Sequence, residues 1–223
     1  MKIKNNKIAH RGVFNNKNIP ENSLKSFEKA ISMDFSIELD IQLTKDNTLI
    51  VFHDDNLKRM TGLDKKVIDC TYLEIKNLTL LETKEKIPTL KEVLNLVQGK
   101  VLLDIEIKGK KKIKQLCDLL IKELNGYENF ILKSFNPRIV HYLKKHYPNL
   151  EVGYIINTKR VSLLANKLMF FYTKPDFLAI HKKLVETKKF QKLKQKYPLL
   201  VWTIKKEDKI SNEEYVLICN DLI

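Results

Sequence analysis

The sequence predicts an α/β protein with the architecture of a (β/α)8 TIM barrel. The 223-residue chain contains eight short apolar runs that are typical of buried strands. Segments with apolar residues at i, i+3, i+4 and i+7 separate most of these runs and predict amphipathic helices. Strands that alternate with helices in this way form a parallel sheet, and eight such units are the pattern of a closed barrel.

The predicted strands and helices follow one another in chain order. Strands are predicted at residues 7–10, 36–41, 101–107, 129–134, 151–156, 177–181, 199–204 and 216–219. Helices are predicted at residues 23–33, 90–97, 113–124, 137–146, 161–170 and 186–197. The helix before the last strand has the weakest pattern, so residues 207–215 predict only a turn or two.

The interval from residue 48 to residue 88 departs from a plain strand and helix unit. Residues 48–52 predict a strand directly after Asp46 and Asn47, which is a hairpin signal. The stretch that follows is polar with short apolar pieces. We therefore predict one domain over residues 1–223, with a small insertion at about 54–88 after the second strand that carries His53 into the mouth of the barrel.

The composition predicts a soluble globular protein. With 43% hydrophobic and 30% charged residues, the chain is long enough for one barrel-sized core. No segment approaches the roughly 20 apolar residues of a membrane span. The basic N-terminus lacks a following apolar region, which predicts a cytoplasmic protein. Cys70, Cys117 and Cys219 lack metal-ligand spacing and are expected to be buried thiols in a reducing compartment.

The net charge of +14 admits several anionic partners, namely nucleic acid, membrane or a charged substrate. The lysines are scattered through nearly every segment, and aromatic residues do not alternate with them as a base-stacking groove requires. We therefore expect a solvated lysine-rich surface, a small-molecule substrate and no nucleic-acid partner. The sequence does not indicate an oligomeric state.

Three acidic residues on two predicted strands indicate a metal site. Glu38 and Asp40 alternate with apolar residues, so their side chains share one face of a strand. Neighbouring carboxylates repel each other unless a cation lies between them. Glu106 and Lys108 share a face of the third predicted strand in the same way. Oxygen ligands favour Mg2+ or Ca2+; the alternative is a buried salt bridge of the three carboxylates with Arg11 and Lys108.

Phosphate chemistry is the reaction that the surrounding residues favour. Arg11 and Lys108 are the natural clamp for a phosphate group, one bidentate and one a point charge. His10 and His53 are the candidate general acid and base because histidine titrates near neutral pH. The alternative for each histidine is a structural hydrogen-bonding role.

The order and spacing of these motifs resemble the glycerophosphodiester phosphodiesterase family from residue 8 to about residue 108. The motifs are His10-Arg11-Gly12, Pro20-Glu21-Asn22-Ser23, Glu38-x-Asp40 with Thr44-Lys45-Asp46, His53-Asp54, Arg59-x-Thr61-Gly62, Pro88-Thr89-Leu90 and Glu106-x-Lys108. Ser134-Phe135 and Trp202-Thr203 continue the resemblance more thinly. The family usually has Thr-Asp after the last strand, where this chain has Asn220-Asp221.

The resemblance implies a TIM barrel that hydrolyses glycerophosphodiesters to sn-glycerol 3-phosphate and an alcohol with the help of a divalent metal. It also implies that a hydroxyl of the substrate's glycerol attacks phosphorus through a cyclic phosphate, with either histidine acting first. Trp202 is expected to wall the substrate pocket or to plug the barrel. Glu21 either supports the site or begins the first helix, and Asn22 is a candidate N-cap.

Two other functions are compatible with the same residues. Lysophospholipase D activity keeps the same site but acts on membrane-derived lysophospholipids. The apolar segment 161–172, which has Arg160, Lys167 and Lys174 around it, is compatible with membrane contact, although burial against the barrel is favoured. The other hypothesis is a catalytically silent barrel that binds a phosphorylated ligand. The intact acidic residues and histidines argue against it.

Overall fold

The computed structural model describes residues 7–156, 163–211, 213, 215–220 and 222, without the side chains of residues 163–167 and 189. The chain forms a closed barrel of eight parallel strands, which confirms the predicted fold class. These are β1 (Lys7–Ala9), β2 (Ser36–Leu43), β4 (Leu103–Ile107), β5 (Phe130–Ser134), β6 (Val152–Ile156), β7 (Phe177–His181), β8 (Leu199–Ile204) and β9 (Val216–Cys219). The barrel closes because β1 pairs with both β2 and β9.

Among the described residues, six helices surround the barrel in the predicted order, and two short helices that were not predicted lie in the insertion. They are α1 (Leu24–Ser32), α2 (Lys58–Thr61), α3 (Tyr72–Ile75), α4 (Leu90–Val97), α5 (Ile113–Glu123), α6 (Pro137–His146), α7 (Leu163–Thr173) and α8 (Lys188–Lys194), with short 3-10 helices at Val67–Asp69 and Lys182–Leu184. The first two residues of the predicted helix 161–170 lie outside the described residues. Within the described part of 205–215 the chain forms turns rather than a helix. No helix among the described residues is both long and apolar enough to cross a bilayer.

The insertion after β2 has its own small core. Strand β3 (Leu49–Val51) pairs antiparallel with β2, as the hairpin signal predicts. Nine buried hydrophobic residues between Ile50 and Ile87 then pack together across the insertion. This packing anchors the loop that begins at His53, directly after β3 and Phe52.

The main core lies between the barrel strands and the helices, and a second cluster fills the barrel interior. Interior packing is tight where Phe177 crosses β6, because a Cβ atom on Gly153 would come within 2.2 Å of the Phe177 ring. The three cysteines are buried thiols, as expected. Polar side chains of β2 and β4 replace apolar ones towards the carboxyl ends of the strands, where TIM barrels hold their active sites.

Candidate active site

The loop between β1 and α1 has an unusual backbone at Arg11, Gly12 and Asn22. Their φ angles are 55°, 81° and 56°, all in the left-handed region that favours glycine. A Cβ atom on Gly12 would lie 2.5 Å from Ser26 Oγ, so only glycine fits there. The Asn22 backbone N–H donates to the Arg11 carbonyl at 3.0 Å and closes the loop. Strained residues held in this way are common at functional sites.

The three predicted metal ligands meet at the carboxyl ends of β2 and β4. Asp40 lies directly opposite Glu106 in the parallel register, and Glu38 precedes Asp40 on the same face. One carboxylate oxygen from each residue lies within 4.8 Å of the others, and all three residues are buried. Water therefore does little to relieve the repulsion between them.

Lys108 and Arg11 give the carboxylates partial compensation. The Lys108 ammonium contacts Glu106 Oε1 and lies 3.1 Å from Asp40 Oδ1, and Arg11 Nε lies 3.4 Å from Asp40 Oδ2. These are the contacts of the salt-bridge alternative. Within the described chain, however, Asp40 Oδ1, Glu106 Oε1 and Arg11 Nε take part in no well-directed hydrogen bond.

The raised pKa of Glu106 indicates that the two cations do not fully neutralise the three carboxylates. Burial opposes ionisation of Asp40, but Lys108 and then Arg11 hold the pKa of that carboxyl below its usual range. Burial, reinforced by Asp40 and Glu38, raises the pKa of Glu106 despite the adjacent Lys108. A buried group of three oxygen donors that lacks full countercharge fits a hard divalent cation.

A buried lysine inside the barrel adds a contact that the sequence reasoning missed. Lys133 on β5 is 2% exposed; its Nζ lies 2.5 Å from Asp104 Oδ2 and 3.4 Å from Glu38 Oε1. Burial raises the pKa of Asp104 to about 6, against the opposite effect of Lys133. Asp104 alternates with Glu106 on β4, so the sequence signal was a fourth carboxylate on the face of the three predicted metal ligands. Lys133 therefore fixes one oxygen of Glu38.

His10 lies at the end of β1, and one of its ring nitrogens forms a hydrogen bond within the protein. Its Nδ1 donates to Asn220 Oδ1 at 2.5 Å, since an amide oxygen only accepts. The Nε2 atom lies 4.0 Å from Glu38 Oε2. Burial lowers the pKa of His10, although Glu38 opposes the shift. A neutral imidazole held in this tautomer presents the Nε2 lone pair to the acidic cluster.

His53 is held by a chain of charged contacts on the insertion side. Its Nδ1 lies 2.6 Å from Asp54 Oδ1, and Arg59 Nε donates to Asp54 Oδ2 at 2.5 Å. Burial raises the pKa of Asp54, but the Arg59 and His53 hydrogen bonds outweigh it, so Asp54 stays ionised. Arg59 also donates through Nη2 to Glu21 Oε1 at 2.7 Å.

Glu21 and Asn22 support the site rather than the first helix. Glu21 accepts from Arg11 Nη1 at 2.7 Å as well as from Arg59, so it connects the two arginines. The N-cap of α1 is Ser23, which forms a capping box with Ser26. The expectation that Asn22 caps the helix is therefore wrong. Asn22 Nδ2 instead donates to Asp40 Oδ2 at 2.9 Å, because its left-handed backbone turns the side chain towards β2.

A cavity of about 160 Å³ opens at these strand ends. Trp202 and Phe135 form one wall, packed edge to face with ring centroids 5.6 Å apart, and Trp202 also packs on the cluster that fills the barrel interior. The cavity is lined by seven of the sequence-predicted site residues: His10, His53, Arg11, Lys108, Glu38, Glu106 and Trp202. Asp40 and Glu21, the other two, contact Arg11.

Comparison with known proteins gives a consistent result. Residues 10–219 match the model of the glycerophosphoryl diester phosphodiesterase family. A glycerophosphodiester phosphodiesterase of Caldanaerobacter subterraneus subsp. tengcongensis is 36% identical, over 90% of this chain and 86% of the relative. The crystal structure of a glycerophosphodiester phosphodiesterase from Thermotoga maritima is 28% identical, with a TM-score of 0.77 over 96% of this chain and 93% of that one.

The same fold recurs at lower identity. A phosphodiesterase of Oleispira antarctica, solved in complex with the product sn-glycerol-3-phosphate, has a TM-score of 0.84 at 24% identity and covers 96% of this chain and 92% of its own. That likeness shows the barrel architecture. The family match spans most of the described barrel, and it contains the motifs that build the cavity. The chain therefore belongs to the glycerophosphoryl diester phosphodiesterase family.

Proposed function

We propose that this protein hydrolyses glycerophosphodiesters to sn-glycerol 3-phosphate and an alcohol with the help of a divalent metal. One observation carries the proposal. Three clustered, buried carboxylates have incomplete countercharge, and two of them line one cavity with two basic side chains and two histidines in a chain of this family. Phosphodiester hydrolysis needs charge neutralisation at phosphorus together with a proton acceptor and a proton donor.

Glu38, Asp40 and Glu106 would hold the metal. Their oxygen donors suit Mg2+ or Ca2+, and the three atoms already lie within 4.8 Å of one another. When bound, the metal supplies Lewis-acid stabilisation of negative charge on the phosphate oxygens and the attacking oxygen. Lys133 holds the Glu38 carboxylate, and Asn22 holds that of Asp40.

Lys108 and Arg11 would bind the phosphate group. Both are tied to the acidic cluster, and Arg11 Nε is a buried donor with no hydrogen bond among the described residues. A metal held by the carboxylates would weaken this attraction and leave the two cations available to the phosphate oxygens. Glu21 keeps the Arg11 guanidinium in place through Nη1, so the side chain is oriented independently of the carboxylates.

The two histidines differ in a way that suits opposite roles. His10 is neutral because burial lowers its pKa, and its free Nε2 accepts the proton of the attacking glycerol hydroxyl. His53 donates Nδ1–H to the ionised Asp54, which orients the ring so that Nε2 can protonate the departing alcohol. The two residues then exchange roles when water opens the cyclic phosphate.

Lysophospholipids are the second candidate substrates. They carry the same glycerol phosphodiester, and the exposed apolar side chains of α7 give a specific reason to test them. The catalytically silent barrel is disfavoured because both histidines, both cations and two of the three carboxylates line one cavity. We keep a cytoplasmic location and a role in lipid metabolism as predictions.

A panel of glycerophosphodiesters and lysophospholipids, assayed with and without chelator, tests the proposal. We expect hydrolysis of at least one diester, loss of activity in excess EDTA, and recovery with Mg2+ or Ca2+, because the buried carboxylates lack another partner of sufficient valence. Glu38→Ala should bind metal weakly by calorimetry and yet remain folded. Full activity in EDTA, with no metal found by elemental analysis, would contradict the metal assignment.

A further inference from the structure

Helix α7 presents an exposed apolar surface. Leu168 is 66% exposed, Phe171 79% and Tyr172 42%, although one face of the Tyr172 ring stacks on His141 of α6 with ring centroids 4.1 Å apart. Their i, i+3, i+4 spacing places them on one face of the helix. The opposite face packs inward, where the Phe170 and Tyr197 ring centroids lie 5.7 Å apart. The expectation that α7 buries its apolar residues against the barrel therefore holds only for the inner face.

A row of lysines lies on the neighbouring helix. Lys188, Lys192 and Lys196 are exposed; the first two lie four residues apart on one side of α8, and Lys196 lies in the turn that follows this helix. The Phe170–Tyr197 contact joins the chain just after α8 to the inner face of α7. No acidic residue occurs in 168–174 or in 188–197. Exposed apolar side chains and exposed lysines therefore lie on neighbouring elements outside the barrel, and neither segment contains an acidic residue.

Large exposed apolar side chains beside lysines fit one partner chemistry best, the surface of an anionic bilayer. Aromatic and aliphatic side chains insert at the boundary of the head groups, and lysines add attraction to anionic lipids. A second copy of the chain fits poorly, because an isologous interface would bring two lysine rows together in a protein of net charge +14.

We propose that this flank patch, formed by Leu168, Phe171 and Tyr172 of α7, Lys188 and Lys192 of α8 and Lys196 in the turn after it, docks on membranes that contain anionic phospholipids. Helix α7 follows β6 and returns along the outside of the barrel. The patch therefore lies on the side of the barrel and not across the mouth. Docking leaves the cavity open, so a docked molecule still hydrolyses a water-soluble substrate.

Vesicle sedimentation tests the proposal without relying on catalysis. Wild-type protein should bind phosphatidylcholine vesicles that contain phosphatidylglycerol, more weakly at high salt, and should not bind pure phosphatidylcholine. Lys188→Gln/Lys192→Gln/Lys196→Gln should bind about 10²-fold more weakly, given roughly one kcal/mol per lysine at an anionic surface. Leu168→Ser/Phe171→Ser should bind at least about tenfold more weakly, because it removes the inserting side chains.

Matched variants separate the patch from bulk charge and hydrophobicity. Lys76→Gln/Lys114→Gln/Lys122→Gln removes the same charge from exposed positions on other elements, and Leu73→Ser removes a leucine that is 70% exposed on the insertion. Both should bind like wild type, and all variants should keep their melting temperature and their activity on soluble substrate. Absent binding by wild type, equal losses in patch and control variants, or a wild-type dimer that Phe171→Ser abolishes would overturn the proposal.

Discussion

The two halves of the barrel mouth contribute different chemistry. Strands β1 to β4 and their loops supply the two histidines, the three acidic residues and the two phosphate-binding cations of the proposed site. Strands β5 to β9 supply one buried lysine, the Phe135 and Trp202 rings and the Asn220 amide. In the proposed site the first half would therefore supply the groups that act on the substrate, and the second half would shape the cavity and orient those groups.

This division follows from strand register. Charged ligands must converge within a few ångströms, and the directly paired Asp40 and Glu106 on neighbouring strands achieve this without a long loop. A pocket wall needs only shape, so residues on strands further round the barrel can provide it. Substitutions in the first half should therefore affect the chemical step most, and substitutions in the second half should have smaller effects.

The largest effect is expected for the two histidines. His10→Ala and His53→Ala each remove a proton acceptor or donor that is needed mainly in the transition state, so kcat should fall about 10²-fold or more with little change in KM. Steady-state kinetics on the best diester of the panel measure both constants. His141→Ala, an α6 position outside the cavity lining, is the control and should keep wild-type kcat. Near wild-type kcat in both site variants would remove them from the acid and base roles.

A second prediction concerns the charged contacts that hold the first half together. The pKa of Glu21 is lowered to about 2 from 4.5, because the hydrogen bond from Arg59 and the charge of Arg11 outweigh burial, which raises it. A carboxylate with a lowered folded-state pKa stabilises the fold above its unfolded value and loses this contribution as the pH falls. The stabilisation is present above about pH 4.5 and is lost towards pH 2.

Glu21→Gln should therefore be less stable than wild type at pH 7 by up to about 3 kcal/mol, on a scale of roughly 1.4 kcal/mol per pKa unit. This difference should shrink by about half or more at pH 3. Urea unfolding at both pH values measures the two free energies. Glu28→Gln, an exposed position on α1, should show no such pH dependence. A difference that is constant with pH would show that Glu21 acts through packing and not through its charge.

The sequence predicts the site residues of the first half of the barrel mouth, β1 to β4, better than those of the second half, β5 to β9. The acidic triad is readable because alternation along a strand places Glu38 and Asp40 on one face whatever the rest of the fold does. Lys133 is not readable in this way. Whether a lysine in an apolar run points into the barrel or out of it depends on the register between β4 and β5, which pairs Glu106 with Lys133 and is decided by barrel closure.

Local patterns also mislead where tertiary contacts decide the backbone. Asn22 precedes a helix and has the residue type of an N-cap, but the packing of Gly12 against Ser26 and the left-handed φ of Asn22 turn its side chain towards Asp40. The helix boundaries are predicted better, because the capping residue Ser23 and the apolar spacing of α1 are both local signals.

The contact between Asn220 and His10 could not be predicted from local sequence either. The two residues are 210 positions apart and meet only because β9 pairs with β1 and closes the barrel. The Asn220 backbone N–H donates to the Ile204 carbonyl at 2.9 Å, so the amide is held from the β8 side. We infer that Asn220 is a positioning residue that keeps the Nδ1–H tautomer of His10. It departs from the threonine that the family usually has after the last strand.

Asn220→Ala should lower kcat about tenfold, a smaller loss than His10→Ala, because the ring remains present but loses the acceptor that fixes its tautomer and orientation. KM and the melting temperature should stay close to wild type. Asn220→Asp keeps an oxygen acceptor for Nδ1–H and should restore most of the lost kcat. Nitrogen NMR of the His10 ring reports the tautomer directly: the Nδ1–H form should dominate in wild type and in Asn220→Asp, and a mixture should arise in Asn220→Ala. Unchanged kcat in Asn220→Ala, or an equal loss in Asn220→Asp, would show that the second half of the mouth does not orient the proposed base.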